Sequence, residues 1–234
     1  MSRDRKIFAA DDWGLSPGIN MGILALAKAG LLRSVSCMGN TSFLTVGLRE
    51  LLSNSGIEFW MHFNLTYGQS RTHGGFLFRM ISGRLRTNEI AAEFESQLAT
   101  LQNLNIPISG VNGHHHVHLW PKVFNAIRPL AGPGKKTKLR LMNDRHHRPT
   151  YLQSQYFGMV RPNAAALFAL EDCLYLLKND LRSKEALEHK VTAAGGSPLL
   201  SHPALFNDFA ETKMADGLQE ERVWELKSIL EFLS

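Results

Sequence analysis

Two textures of apolar residues alternate along the chain. Short apolar runs at Lys6–Ala10, Ser34–Met38, Ile57–Met61, Lys138–Met142 and Ser197–Ser201 read as buried strands, and Ile106 to Asn112 reads as a turn feeding another. Between them, apolar residues recur every three or four positions, as on one face of a helix. Ser16-Pro17 is a cap and first-turn proline ahead of Ile19, Ile23, Leu26 and Ala27, and Gly30 ends that helix. Leu44 to Leu52 is a second helix. Thr87 caps a third, carrying Ile90, Phe94, Leu98 and Leu101. Pro121 opens a fourth, with Val123, Phe124, Ile127 and Leu130. Leu167, Leu170, Leu174 and Leu177 predict a helix over Asn163 to Lys178. Further helices follow over Ser183 to Ala194, ended by Gly195-Gly196, and over Leu218 to Leu233, with Val223, Leu226, Leu230 and Leu233 inward.

Strand and helix alternation of this kind predicts a parallel sheet with right-handed crossovers. No repeat, low-complexity tract or linker interrupts it, so residues 1–234 form one expected domain. The expected fold is α/β, a distorted (β/α) barrel of TIM-barrel type, with an open doubly wound sheet as the alternative. Residues 69 to 86 are rich in Gly, Ser and Arg around Phe76, Leu77, Phe78, Met80 and Ile81, and read as a loop or short helix over the site. Gly132 to Thr137 is a turn rather than a phosphate loop: the first glycine of that motif is missing and Pro133 lacks an amide donor. Asn143 to Arg148 is a polar, basic loop.

Chemistry collects where the strands end. Asp11-Asp12 closes the first apolar run, His62 the third, and His202-Pro203 the last. Gly113-His114-His115-His116-Val117-His118 packs four of the ten histidines into five residues. If that run is extended, His114, His116 and His118 share a face and His115 opposes them. Taken singly, an acidic pair is a turn and a histidine a packed core residue. Gathered on the carboxyl face of a barrel, they make a metal or catalytic site. Arg140, inside its strand, either reaches that site or pairs with an acid.

Lys and Arg number 26 against 21 Asp and Glu, a formal charge of +5. That suits an anionic polymer or envelope surface and is too weak to imply nucleic acid. Cys37 and Cys173 match no metal spacing and read as reduced thiols, which with the absence of a signal peptide or an 18-residue apolar run sets the expectation of a cytoplasmic protein with no transmembrane segment.

Four stretches, in this order, resemble the YdjC-like carbohydrate deacetylases, the family that includes chitooligosaccharide deacetylases. They are Ala10-Asp11-Asp12-Trp13-Gly14-Leu15-Ser16, Met61 to Gly68, Gly113 to Pro121 (with Glu93 and Gln97 on the preceding helix), and Ser201-His202-Pro203-Ala204. The resemblance implies a distorted barrel and a divalent-metal-dependent hydrolase that removes acetyl from an N-acetylated sugar, whether chitooligosaccharide, polysaccharide or glycolipid. It implies Asp12, His62 and His114 as ligands of one Mg2+ or Zn2+, Asp11 as general base, His202 as acid or substrate contact, and Arg140 in a supporting role near the site. Arg140 and His116 are expected at the substrate, and a homodimer is allowed. Two imidazoles favour zinc or another transition metal over magnesium. Asn112 stands where the family usually has Asp, Trp13 where it has Phe, and the Gly68 to Thr87 segment is short. Alternative functions are another hydrolysis on this scaffold, such as that of a phosphoester, and sugar binding without turnover.

Overall fold

The computed structural model describes residues 6–67, 73–131, 137–142, 160, 162, 164–165, 167–206 and 219–233. The predicted turn at Gly132 to Thr137 (apart from Thr137) and the loop at Asn143 to Arg148 lie outside them. The strands are β1 (Phe8–Trp13), β2 (Leu32–Cys37), β3 (Glu58–Phe63), β4 (Ile108–Gly113), β5 (Lys138–Met142), β6 (Ala169–Tyr175) and β7 (Leu199–Ser201). They close into a barrel in sequence order, a distorted (β/α) barrel as the alternation predicts. Helices α1 (Pro17–Lys28), α2 (Leu48–Leu52), α3 (His73–Ile81), α4 (Thr87–Asn103), α5 (Pro121–Ala131), α6 (Lys184–Ala193) and α7 (Gln219–Leu233) fall between and after them.

Contacts group the chain into two compact units, Met1–Cys37 with Ser42–Glu58 and Cys173–Ser234, and Met38–Thr41 with Phe59–Asp172. In the first, β1 pairs in parallel with β2 and β7 and is buried along its whole length. The Ser16 hydroxyl caps α1 by accepting from the Ile19 amide at 3.2 Å. Gly22 lets α1 approach the chain beyond β7: a Cβ there would sit 2.7 Å from the Ala204 Cα.

In the second unit, β4 pairs in parallel with β3 and β5. Trp60 of β3 faces Gly110 of β4, where a Cβ would fall 2.5 Å from the indole. The absent side chain lets the ring lie flat across the neighbouring strand. The Arg140 guanidinium of β5 stacks on that ring at 5.1 Å. Phe63 and Phe94 pack edge to face at 5.2 Å, fixing α4 against β3.

Four expectations need correction. The helix over Asn163 to Lys178 does not form; strand β6 occupies Ala169–Tyr175 instead. Its leucine spacing fits a helix, but Leu174 pairs with Leu199 and its amide donates to the Pro198 carbonyl at 3.1 Å, so sheet pairing overrides local pattern. The helix from Leu44 is confined to Leu48–Leu52. The carbonyls of Phe43, Leu44 and Val46 accept from the side chains of Asn20 and Trp13. Arg86, not Thr87, is the N-cap of α4. On α7, Leu226 of the expected inward series is buried, but Val223, Leu230 and Leu233 are only half-buried, and Arg222, Ser228 and Ile229 are buried in their place.

Gly110→Ala should cost about 1–3 kcal/mol, since the added methyl must displace a packed indole. Gly74→Ala, in open space, should be neutral or slightly stabilising. Urea denaturation of the two variants beside the parent protein measures both.

Candidate metal centre

The end of β1 is shaped by a bulge. Ala10 lies opposite Val35 and Trp13 opposite Cys37, so β1 uses one residue more than β2. Asp12 takes up the excess with φ 71, a left-handed conformation that few non-glycine residues adopt. Both carboxylates are buried, Asp11 to 3% and Asp12 to 2% exposure. The turn is held from all sides. Gly14 donates its amide to Asn20 Oδ1 at 2.7 Å, and the Leu15 amide reaches the Asp12 carbonyl at 3.0 Å. The Trp13 indole N–H donates to the Leu44 carbonyl at 2.8 Å, a bond that a phenylalanine could not make. Burial, and then the neighbouring Asp11 charge, push the Cys37 thiol up well beyond its ordinary range.

His62 ends β3 directly beside Asn112 of β4. Its Nδ1 lies 2.9 Å from Asn112 Oδ1. An amide oxygen only accepts, so Nδ1 carries the proton and Nε2 is the electron-pair nitrogen presented to a metal. Asn112 thus performs the orienting role that an aspartate would, without its charge. The loop after His62 is tied down by a polar net. Asn64 Oδ1 accepts from the amides of Thr66 and Tyr67, each at 3.0 Å. Gln97 of α4 brackets the Asn64 backbone, accepting from its amide at 3.0 Å and donating to its carbonyl at 2.7 Å. Glu93 accepts from Gln97 and from Asn40, at 2.7 and 3.1 Å. The two α4 residues singled out in the sequence therefore hold the backbone that carries His62.

The histidine run is not extended. It forms a 3-10 turn over His114–Leu119, with His115 and His116 left-handed at φ 51 and 55. The expected sharing of a face by His114, His116 and His118 therefore fails. His114 is buried, edge to face with His62 at 5.4 Å. His115 is exposed, its Nδ1 2.8 Å from the Thr66 hydroxyl. His116 is half-buried. His118 is buried and donates from Nε2 to the Arg140 carbonyl at 2.9 Å, a structural bond.

Asp12, His62 and His114 each offer a ligand atom, and these atoms all lie within 4.8 Å of one another. Ligands about 2.0–2.2 Å from a tetrahedral ion stand roughly 3.5 Å apart, within reach of small side-chain rotations here. One carboxylate and two imidazoles, one with its tautomer set by Asn112, fit a divalent ion and leave positions open for water and substrate. Asp11 precedes Asp12 on the bulge. Arg140 is buried against Trp60, and His202 follows β7, half-buried.

The C-terminal helix supplies two residues that the apolar pattern missed. Arg222 Nη2 lies 3.0 Å from Asp12 Oδ2, both groups being buried. Glu225 Oε1 accepts from the Ser201 hydroxyl at 2.5 Å and from the His202 amide at 3.0 Å, holding the end of β7. Burial of its carboxyl raises the Glu225 pKa above the usual carboxylate value; the Ser201 and His202 bonds and the Arg222 charge only partly offset this. The available signal was a charged pair at helical spacing with Leu226 and Ile229.

Fold and site together define a parallel (β/α) barrel whose strand ends gather a buried carboxylate and two imidazoles able to hold a divalent metal ion. More particularly, the chain belongs to the YdjC-like protein family, whose model matches residues 5–231. A chitooligosaccharide deacetylase of Yersinia enterocolitica serotype O:8 / biotype 1B is 31% identical over 167 residues, 66% of this chain and 62% of that protein. One from Yersinia pestis (strain Pestoides F) is 30% identical over 153 residues, 60% of this chain and 59% of that protein. The match thus spans about three fifths of the length of these curated relatives. An Enterococcus faecalis V583 protein, provisionally assigned to cellobiose-phosphate cleavage, superposes with a TM-score of 0.68 at 18% identity, over 99% of this chain and 96% of that one, and shares the fold.

Arg222→Met leaves a buried Asp12 without this counter-charge and should destabilise the metal-free protein by about 3–5 kcal/mol. A bound divalent ion neutralises the same carboxylate, so the deficit should shrink under saturating zinc; urea titrations with chelator and with zinc compare the two. Glu225→Gln keeps an oxygen acceptor and removes the charge. A carboxyl with a raised folded pKa carries a penalty that is absent below the ordinary carboxylate range and complete above the raised value. The variant should therefore gain stability relative to the parent as pH rises above the ordinary carboxylate range, read as a growing difference in urea midpoint.

Proposed function

We propose that this protein is a metal-dependent carbohydrate N-deacetylase, releasing acetate and a free amine from an N-acetylated saccharide. The observation that carries the reading is the buried Asp12, His62 and His114 cluster, with a second buried acid, Asp11, adjacent in the chain. The names of the Yersinia relatives point to the same chemistry. When bound, a divalent ion would polarise the acetamide carbonyl and lower the pKa of an attacking water.

Each residue then has a task. Asp12, His62 and His114 hold the ion, and the donor set favours zinc over magnesium. Asp11 accepts the proton of the attacking water. His202, with its backbone fixed by Glu225, gives a proton to the departing amine nitrogen. Arg140 and His116 bind the sugar. The full chain acts as one catalytic domain. Among the described residues no helix is long and apolar enough to cross a membrane. Cys37 and Cys173 are buried thiols outside any disulfide, which favours a cytoplasmic location.

Acetate release from N-acetylglucosamine oligomers is the test. Chelator should abolish it and zinc should restore it. Asp11→Asn should lower kcat about a hundredfold to ten-thousandfold, with zinc affinity by calorimetry little changed. Chelator-insensitive release, or full activity in Asp11→Asn, would overturn the mechanism. Turnover of a phosphodiester alone, or saccharide binding without turnover, would replace it with one of the alternative functions.

A further inference from the structure

Helix α3 is anchored on one side and bare on the other. Phe76 is buried, its ring edge to face with Trp120 at 6.3 Å, directly beyond the histidine turn. One turn further along, Phe78 is 57% and Ile81 86% exposed. They stand three residues apart and so share a face. Single exposed apolar residues are ordinary, but these two neighbours project from one short helix into solvent.

Arginine dominates the charge around them. From Gly74 to Asn88 the chain carries Arg79, Arg84 and Arg86 and no Asp or Glu. Arg79 is paired with Glu89 at 2.5 Å. The Arg84 guanidinium lies over the Phe78 ring at 5.3 Å, and both Arg84 and Arg86 are exposed. An apolar pair beside such cations is the composition of a helix that lies in a bilayer interface, with side chains among the acyl chains and guanidinium groups on lipid phosphates. A second copy of the chain fits less well. A two-fold contact here would bring Arg84 and Arg86 towards their own copies, and two apolar side chains cover little of the 1,200 Å² or so that a stable interface buries.

We propose that α3 docks this protein peripherally on an anionic lipid surface, with Phe78 and Ile81 inserted and Arg84 and Arg86 on the headgroups. Through the Phe76–Trp120 contact, docking sets the histidine turn close to the headgroup layer. The inference rests on α3 and the arginines just after it, and its test reads binding rather than turnover, so it stands or falls separately from the hydrolytic reading.

Sedimentation with vesicles of phosphatidylcholine, with and without phosphatidylglycerol, tests it. The protein should partition onto the anionic vesicles at least about tenfold more strongly than onto the neutral ones. Phe78→Ser with Ile81→Ser should abolish most of that binding. Arg84→Gln with Arg86→Gln should weaken it about thirtyfold and flatten its dependence on salt, since each cation contributes roughly fivefold. All four positions are exposed, so urea midpoints should stay unchanged, which separates lost docking from lost folding. Equal partition onto both vesicle types, or serine variants that bind like the parent, would overturn the proposal. So would a dimer in sedimentation velocity that the serine substitutions dissolve, because the face would then belong to a second copy.

Discussion

A carboxylate withdrawn from water needs a counter-charge, and this barrel is built around that demand at Asp12. In a protein interior an ionised acid is tolerated only when it is paired and hydrogen-bonded. Arg222 supplies one counter-charge, carried in by the C-terminal helix. Two imidazoles offer another, by making a place for a cation. The bulge in β1, the left-handed backbone at Asp12 and the locked turn through Gly14 and Asn20 all keep the acid where both can reach it. Backbone strain of this sort persists only where the surroundings over-determine it.

The supporting layer follows the same logic. His62 is aimed by Asn112, and the loop behind it is bracketed by Gln97 and Glu93. None of these side chains belongs to the ligand cluster, yet together they decide which nitrogen faces inward and where the loop runs. His118 spends its Nε2 proton on a backbone carbonyl of β5, so part of the histidine-rich run is scaffolding. A cluster of one residue type thus divides into a ligand candidate, a rim residue and a structural brace, by burial and by partner.

Much of this was legible in the chain. The capped α1, the buried β1 and the acids and histidines at strand ends follow from periodicity and from residues whose chemistry has few other uses. Three things were not. Residues of β6 carry a helical leucine spacing, and only pairing with β7 shows them to be a strand. The histidine run alternates on paper, but two successive left-handed residues fold it into a turn, and side-chain identity alone does not signal that. Arg222 and Glu225 sit on a helix whose apolar residues suggest a neighbouring face. Their burial depends on partners about two hundred and about twenty residues away in sequence, a separation no local pattern encodes.

The thiol of Cys37 lies at the end of β2, enclosed and discouraged from ionising by the acid beside it. Reaction with an alkylating reagent requires the thiolate, which the closed fold withholds twice over. Only molecules in which the end of the barrel has opened can be modified. This native cysteine is thus a built-in clock for the opening of the barrel mouth, readable by mass spectrometry without any introduced label.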